Sequence, residues 1–253
     1  MFSSVREVFV GKNRSIVSNE EGTTRDSVDA TITFNKYKIS IVDTAGLRKK
    51  SKIKGKIERY SVLRATKNIL QSDIVFLTID ATLGPTKQDM TLSQLILKSY
   101  KSIVLVVNKW DLVDKKLTTL EEYEEYLRKI FGYMKWIPIV FVSAIEKKRT
   151  FKLLELIIDI KQAREQNITT SSFNNAIQTL MLKRPPQSRN RKAKHPKIYY
   201  GTQIGKNPPE FCLFVNDKLN FHSSYTRYIE NNLREMYNFL ATPIKIFLKN
   251  RRD

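Results

Sequence analysis

A polar motif of four residues, Asn108-Lys109-Trp110-Asp111, directly follows a dense apolar run over residues 103–107. A carboxylate at Asp111 can accept two hydrogen bonds from guanine, one from N1–H and one from the exocyclic amino group. Adenine offers no such pair of donors, so a buried carboxylate facing it would lose about 1–3 kcal/mol. Asn108 can bond the opposite edge of the base, and the Lys109 stem can lie along its flat face. The alternative interpretation is a polar turn after a strand.

A second motif, Asp43-Thr44-Ala45-Gly46, directly follows the apolar run over residues 38–42. A carboxylate at the end of a strand can hold Mg²⁺ through a water, and a glycine can present its backbone N–H to a γ-phosphate. A capping aspartate followed by a turn glycine is the alternative interpretation. The motif gains weight from its spacing, since one strand and one helix separate it from the first motif.

Two shorter motifs fit the same chemistry. The segment GTTRD contains Thr23 and Thr24, and a threonine hydroxyl in such a loop can bind Mg²⁺ and close over a γ-phosphate. Ser143 and Ala144 follow the apolar run over residues 137–142. A backbone N–H in that position can reach O6 of guanine, although the dipeptide alone carries no specificity.

The hydrophobic pattern provides a scaffold that brings these motifs together. Between residues 31 and 164, short β-branched runs alternate with segments of helical periodicity. This alternation predicts a parallel sheet covered by helices, in which ligands bind at the carboxyl ends of the strands. The polar motifs follow the runs directly, so they should meet at that edge. The predicted strands are residues 31–34, 38–42, 74–79, 103–107 and 137–142, and the predicted helices are residues 87–98, 120–131 and 151–166.

A second, smaller unit is predicted after a polar linker over residues 166–172. Its first helix, over residues 173–182, follows two candidate caps, Ser171 and Ser172, and stops before two prolines. The order α-β-β-α-β predicts a small open sheet with helices on one side. The remaining predicted elements are strands over residues 198–203, 211–215 and 244–248 and a helix over residues 225–239.

The formal net charge of +20, from 45 Lys+Arg against 25 Asp+Glu, favours a polyanionic partner. Each phosphate contact releases counterions, so basic proteins gain affinity for nucleic acids from every such contact. A lysine-rich source proteome is the alternative explanation of the charge. No motif specific for DNA is present in the sequence.

The sequence predicts a soluble protein of the bacterial cytoplasm or of an organellar matrix. Its one cysteine, Cys212, cannot form an internal disulfide, which fits a reducing compartment. No apolar run approaches the ~20 residues of a membrane span. The first residues contain no apolar core long enough for a signal peptide.

The chain resembles the second GTPase domain of the Der (EngA) family of bacterial GTPases in four motifs, in this order and spacing: GTTRD, DTAGLRKK, NKWD and SA. It resembles the C-terminal KH-like domain of that family in the segments YYGTQ, NPPEF, FVN, YIENNL and TPIKIF. The resemblance implies an α/β domain of the P-loop GTPase fold (Ras-like, Era/TrmE-type), lacking its first strand and Walker A loop, over residues 1–167. A small α+β KH-like domain over residues 168–253 would follow it.

The resemblance implies GTP hydrolysis and a role in the maturation of the large (50S) ribosomal subunit. The implied ligands are GTP or GDP with Mg²⁺, and the implied partner is the large ribosomal subunit or its RNA. By motif position, the nucleotide contacts fall on Asn108, Lys109, Asp111, Ser143, Ala144, Asp43 and Gly46, and the Mg²⁺ contacts fall on Thr23, Thr24 and Asp43.

No catalytic residue can be assigned from the sequence. Leu47 follows Gly46, at a position where some GTPases carry a glutamine that orients the attacking water. A leucine cannot orient water. The resembled family shares this residue and is thought to position the water by other means, including a potassium ion.

The sequence lacks the phosphate-binding part of such a site. A P-loop domain needs G-x-x-x-x-G-K-[ST] after its first strand, so that backbone amides and a lysine hold the phosphates. No such motif occurs here, and the resemblance places Phe2-Ser3-Ser4 where its Lys-Ser-Ser would end. We interpret the chain as a fragment, a truncated or mis-started gene product, or the product of a decaying gene. Any use of GTP, Mg²⁺ or K⁺ is conditional on the missing loop, and we expect this chain to bind GTP more weakly than micromolar.

The predicted C-terminal unit also departs from a KH domain that clamps RNA, because it has no G-x-x-G loop. Tyr199, Tyr200 and Phe211 can stack on bases, but their place on predicted strands favours a core position for most of them. A solvated basic loop is the alternative to a phosphate-binding patch at the candidate RNA or ribosome contacts Arg189, Arg191, Lys192, Lys194 and Lys197.

Three hypotheses of function follow. The first is a GTPase of ribosome assembly, for which the sequence leaves open whether this chain keeps the activity. The second is a nucleotide-free remnant that binds ribosomal RNA or a ribosomal protein through the KH-like unit. The third is a protein–protein adaptor that uses the sheet of that unit, and it predicts binding with little salt dependence.

Overall fold

The computed structural model describes residues 30–42, 65–114, 116–146, 148–188 and 195–251. The chain divides into two compact units, Met1–Asp159 and Ile160–Asp253. The predicted domain boundary at residue 167 stays a prediction. Several residues singled out in the sequence lie outside the described residues: Phe2, Ser3, Ser4, Thr23, Thr24, Asp43, Gly46, Leu47, Arg189, Arg191, Lys192 and Lys194.

A two-stranded hairpin opens the described part of the first unit. Strands β1 (Ala30–Phe34) and β2 (Tyr37–Ile41) pair antiparallel around Asn35 and Lys36. Both turn residues have positive φ, 45° and 68°, as a two-residue turn of type I′ requires. The predicted strand pair and its turn are confirmed. Among the described residues, no third strand pairs with β2.

A parallel sheet of three strands organises the rest of the first unit. Strands β3 (Ile74–Asp80), β4 (Ser102–Asn108) and β5 (Ile139–Phe141) lie in the order β3-β4-β5. The central strand β4 is buried at all seven positions, so both of its faces are covered. The register places Asp80 opposite Asn108 at the carboxyl edge. The predicted parallel sheet is confirmed.

Helices connect the strands of this sheet. Helix α1 (Lys87–Lys98) joins β3 to β4, and helix α2 (Leu120–Ile130) joins β4 to β5. Both begin with a capping box, in which a threonine and the acidic residue three positions later satisfy each other's backbone N–H groups. Helix α3 (Thr150–Glu165) follows β5. The three helices lie within one or two residues of their predicted limits.

One strand of the sheet is shorter than predicted. The apolar pattern predicts a strand over residues 137–142, whereas β5 covers only Ile139–Phe141. Pro138 has no N–H to donate to a ladder, and the N–H of Ile137 donates to Met134 in the preceding turn. A proline near the start of an apolar run therefore delays the strand.

The second unit has the predicted order α-β-β-α-β. Helix α4 (Thr170–Lys183) precedes strands β6 (Ile198–Gly205) and β7 (Glu210–Val215), and helix α5 (Ser223–Met236) precedes β8 (Lys245–Asn250). Strand β7 lies at the centre, antiparallel to β6 and parallel to β8. The two helices and one face of the sheet enclose a single apolar core that includes Phe173, Leu180, Phe211, Leu213, Ile229 and Leu233.

The start of α4 differs from the prediction. The helix begins at Thr170, and its cap is Thr169, whose hydroxyl accepts a hydrogen bond from the N–H of Ser172 at 3.2 Å. The predicted caps Ser171 and Ser172 lie inside the first turn. The apolar periodicity starts only at Phe173, so it does not reveal the polar first turn of the helix.

Within the described ranges, no helix combines the length and the hydropathy needed to cross a bilayer.

Candidate guanine-binding site

The end of β4 reverses sharply to present the polar motif. Asn108 is the last residue of the strand, and Lys109 adopts a left-handed conformation with φ 64° and ψ 33°. A short 3₁₀ helix, Trp110–Leu112, begins immediately after it. A left-handed conformation at a residue other than glycine costs about 1–3 kcal/mol and is concentrated at functional sites. The backbone is therefore bent here to bring Asp111 back to the edge of the sheet.

Asn108 fastens this reversal to the loop that follows β5. Its side chain is buried, and its Oδ1 accepts hydrogen bonds from the N–H of Lys109 at 2.8 Å and of Ala144 at 3.2 Å. The N–H of Trp110 donates to the carbonyl of Val142 at 3.2 Å. The structure therefore brings together the two sequence motifs that were predicted to contact the base. A backbone N–H of the segment Ser143-Ala144 was predicted to reach guanine O6, and the N–H of Ala144 donates to Asn108.

Lys109 is oriented by a carboxylate that the sequence analysis did not single out. Its Nζ lies 2.8 Å from Oδ2 of Asp80, whose side chain is only 3% exposed. Oδ1 of Asp80 accepts hydrogen bonds from the N–H and the hydroxyl of Thr82, at 3.0 and 2.7 Å. These bonds hold the ammonium group of Lys109 in place, so the path of its methylene stem is fixed at both ends.

The surroundings of Asp80 keep it ionised. Burial raises the pKa of Asp80, but the hydrogen bonds from Lys109 and Thr82 and the charge of Lys109 together lower it below its ordinary value. Asp80 is the last residue of β3, so it lies at the carboxyl edge of the sheet like the predicted motifs. Its position after an apolar run is the signal by which sequence reasoning could have found it.

The motif rests on an aromatic cluster. The ring of Trp110 packs edge-on against Phe141 and Tyr123, with centroids 4.6 and 5.3 Å apart. The hydroxyl of Tyr123 donates to the carbonyl of Ala81 at 2.9 Å, which links α2 to the end of β3. Trp110, the third residue of the motif, is thus packed into the domain next to Asp111.

Asp111 has the feature expected of a residue that receives a ligand. It is half-buried, and its Oδ1 is shielded from solvent without a hydrogen-bonding partner among the described residues. A buried acceptor without a partner costs about 1–3 kcal/mol, so native structures rarely leave one unless something else satisfies it. The paired N–H donors of guanine would do so.

A cavity of about 430 Å³ opens beside Asp111. This volume lies within the range of small-molecule sites. It is bounded by the start of α2 and by the residues that follow β5, including Thr118, Thr119, Ser143 and Arg149. Ser143 is buried, and its hydroxyl accepts the N–H of Glu146 at 3.1 Å, which shapes this wall.

The described residues include only the predicted base contacts of the site. Asn108, Lys109, Asp111, Ser143 and Ala144 converge at the carboxyl edge of β4 and β5. The residues predicted to bind Mg²⁺ and the γ-phosphate lie outside the described residues, so their roles stay predictions.

Two family models match the chain. The model described as "50S ribosome-binding GTPase" matches residues 3–109, and the model described as "KH-domain-like of EngA bacterial GTPase enzymes, C-terminal" matches residues 167–249. A solved structure of Era with MgGDPNP and part of 16S ribosomal RNA is similar over 98% of this chain and 88% of that one, with a TM-score of 0.50 and 19% identity. The fold is therefore that of a P-loop GTPase joined to a KH-like domain.

Curated relatives identify the family. The chain is 41% identical to GTPase Der of Chloroflexus aggregans over 98% of its length, and 42% identical to GTPase Der of Caldanaerobacter subterraneus over 99%. The chain belongs to the Der (EngA) family of GTPases. It spans 55% and 57% of the lengths of these two relatives.

Proposed function

We propose that this chain recognises guanine nucleotides as part of a GTP-binding factor in the assembly of the large ribosomal subunit. Family membership and the description of the N-terminal family model support this function. The observation that carries it is the shielded Oδ1 of Asp111, an acceptor without a partner among the described residues, at the edge where the predicted base contacts converge. We place this activity in the bacterial cytoplasm or an organellar matrix.

Each of the described residues has a separate role in binding the base. Asp111 accepts the N1–H and the exocyclic amino group, while the stem of Lys109, fixed at its end by Asp80, lies along the face of the ring. Asn108 keeps the two contributing loops at a constant separation. When bound, GTP supplies the γ-phosphoryl group that hydrolysis transfers to water, and these residues only bind and orient the nucleotide.

The base preference tests this proposal. Replacing Asp111 by Asn exchanges an acceptor for a donor, so guanine loses a matched pair while xanthine, which has a carbonyl at C2, gains one. Saturation-transfer difference NMR with GDP, XDP and ADP measures the preference even when binding is weak. We expect the wild-type chain to favour GDP and Asp111→Asn to favour XDP, each by about 10-fold or more.

A nearby variant controls for loss of negative charge. Asp114 is exposed, and among the described residues its carboxylate accepts only the N–H of Lys116, so Asp114→Asn should keep the wild-type preference. If Asp111→Asn retained the same preference for GDP as Asp114→Asn, the assignment of the base-reading carboxylate would be wrong.

The phosphate half of the proposal predicts weak binding by this chain. The sequence contains no G-x-x-x-x-G-K-[ST] motif, and the backbone amides and lysine of that motif hold the phosphates. We expect isothermal titration of the 253-residue chain with GTP and Mg²⁺, in K⁺ or Na⁺ buffer, to give a dissociation constant weaker than micromolar. A tighter value would contradict our interpretation of the missing loop.

A second candidate function is RNA binding without nucleotide. The formal net charge of +20 and the missing phosphate motif favour it. It predicts binding to ribosomal RNA that falls steeply with salt and does not respond to GTP. A protein–protein adaptor would instead leave the RNA fragments unbound at every salt concentration. Electrophoretic mobility shifts with ribosomal RNA fragments, with and without GTP, separate these outcomes.

A further inference from the structure

One face of the C-terminal sheet carries aromatic and basic side chains, and the described helices α4 and α5 pack on its other face. The inner face contributes Phe211, Leu213 and Val215 of β7 to the core. Side chains alternate along a strand, so Cys212 and Phe214 point to the opposite face. The register adds their neighbours Tyr200 on β6 and Phe247 and Lys249 on β8 to this outer face.

The aromatic rings of the outer face are exposed. Tyr200 stacks on Phe214 with centroids 4.4 Å apart and an interplanar angle of 15°. Tyr200 and Phe247 keep 44% and 45% of their surface exposed, although they lie on the strands of a packed sheet. Most of the three residues Tyr199, Tyr200 and Phe211 were expected in the core because they lie on predicted strands. That expectation is wrong, since Phe211 is fully buried but both tyrosines are exposed.

A bulge in β6 adds a further ring at the end of this face. Ile198 pairs with Val215 and Tyr200 pairs with Phe214, so Tyr199 is an extra residue without a partner in the ladder. Two cations lie over its ring, Arg251 at 4.9 Å and Lys197 at 5.5 Å from the centroid. Exposed aromatic and cationic groups are thus combined at one end of the sheet.

The charge on this surface is one-sided. The three strands contain one acidic residue, Glu210, and its carboxylate is paired with Lys245 at 2.6 Å. Lys197, Lys249 and Arg251 are exposed beside the rings. A protein interface of ordinary composition mixes charges of both signs around an apolar centre. Rings flanked by cations alone complement a polyanion whose flat groups are accessible.

We propose that this outer face binds single-stranded RNA, with unpaired bases stacking on Tyr199 and Tyr200 and with Lys197, Lys249 and Arg251 contacting phosphates. Stacking on aromatic side chains beside a basic track is the general mode by which proteins hold single strands. Duplex RNA hides its base faces, so it cannot use the rings. The inference rests on the ribosomal partner of the proposed function and assigns it a surface distinct from the guanine site.

The experiment measures binding of the full chain to a fluorescein-labelled 12-nucleotide single-stranded RNA by anisotropy. Removal of one stacking ring weakens binding by about 5- to 100-fold. Tyr200→Leu and Tyr199→Leu should therefore each lower the affinity for the RNA by at least 5-fold. Tyr200→Phe keeps the ring, so its affinity should stay within about 2-fold of wild type, which is about the precision of such comparisons. Tyr126→Leu changes a tyrosine of similar exposure in the first unit and should bind like wild type.

The salt dependence tests the phosphate contacts separately. Each contact to single-stranded RNA contributes about 0.7 to the slope of log K against log salt. Lys249→Gln and Arg251→Gln should each reduce the slope by about this amount. A blunt-ended duplex RNA with the same number of nucleotides per strand should bind more weakly than the single strand and should not respond to Tyr200→Leu.

The outcomes distinguish this inference from the proposed function. Equal binding by wild type, Tyr199→Leu and Tyr200→Leu, with each variant folded by circular dichroism, would overturn the assigned surface and leave a ribosomal partner possible elsewhere. Absence of RNA binding by wild type would overturn this inference, whereas the proposed guanine recognition fails only if the GDP preference is absent. If Tyr199→Leu or Tyr200→Leu lost binding to ribosomal subunits but bound free RNA like wild type, the face would dock on a protein instead. Asp111→Asn should leave RNA binding unchanged in every case.

Discussion

The two three-stranded sheets of this chain differ in which of their surfaces is available to a ligand: an edge in the first sheet and a face in the second. Strand β4 at the centre of the first sheet is buried along its whole length, and the predicted base contacts lie at the carboxyl edge of that sheet. The second sheet has helices on one face, and its other face presents Tyr200 and Phe247. A sheet covered on both sides offers a ligand converging loops, which suit one small molecule. A sheet covered on one side offers a broad surface, which suits an extended polymer.

The largest effect should come from the inner face of the second sheet. Phe211 is fully buried and stacks on Phe173 with centroids 4.7 Å apart. Phe211→Ala should lower the free energy of unfolding of the second unit by about 3–5 kcal/mol. Phe247→Ala, one strand away on the outer face, should cost less than about 1 kcal/mol. Urea denaturation followed by far-UV circular dichroism measures both, and similar losses would show that the two faces are equally buried.

The next effect concerns the carboxyl edge of the first sheet. The pKa of Asp80 is lowered on folding, so its carboxylate adds stability above the unfolded pKa of about 3.9, and this stability is lost as the pH falls through the folded pKa. Asp80→Asn should lower the free energy of unfolding near pH 7 by about 1–3 kcal/mol, because Lys109 and Thr82 lose a charged acceptor.

The pH dependence separates a charge effect from a packing effect. We expect the stability difference between wild type and Asp80→Asn to shrink as the pH is lowered from about 6 to about 3. Urea denaturation at each pH measures this difference. A difference that stayed constant over this interval would mean that Asp80 acts through packing rather than through its charge.

The smallest effect tests the start of α4. The hydroxyl of Thr169 accepts the N–H of Ser172, and a cap of this kind contributes about 1 kcal/mol. Thr169→Ala should lower the stability of the second unit by that amount in thermal denaturation. Ser171→Ala, at the cap position that the sequence favoured, is expected to change stability by less than about 0.5 kcal/mol. The opposite order would move the helix start toward residue 171.

Local patterns predicted the elements well. The runs that form β3 and β4 are dense and β-branched, and α1 and α2 show clear helical periodicity. The local sequence is therefore enough to predict whether each of these four elements is a strand or a helix. The motif at Asn108 was placed correctly because it directly follows its strand. Errors occurred at the ends of elements, where a single residue determines the start of the helix or strand. Pro138 shortens β5, and Thr169 rather than Ser171 caps α4.

Long-range pairings could not be predicted in the same way. The bond from Ala144 to Asn108 joins residues 36 positions apart, and the pairing of Lys109 with Asp80 depends on the register of two parallel strands. No separate role was predicted for Trp110, yet it packs on Phe141. The sequence predicts that these segments share one edge of the sheet, but it does not give the strand register that decides which side chains pair there.

The extra residue in β6 has an evolutionary consequence. Ile198 and Tyr200 pair with adjacent residues of β7, so removing Tyr199 would leave both in register and on their present faces. A one-residue insertion elsewhere in a strand would exchange its two faces. Tyr199 can therefore be gained, lost or exchanged by a single codon change while the apolar core of the unit keeps its alternation. Such a position lets a lineage adjust what the surface binds without refolding the domain.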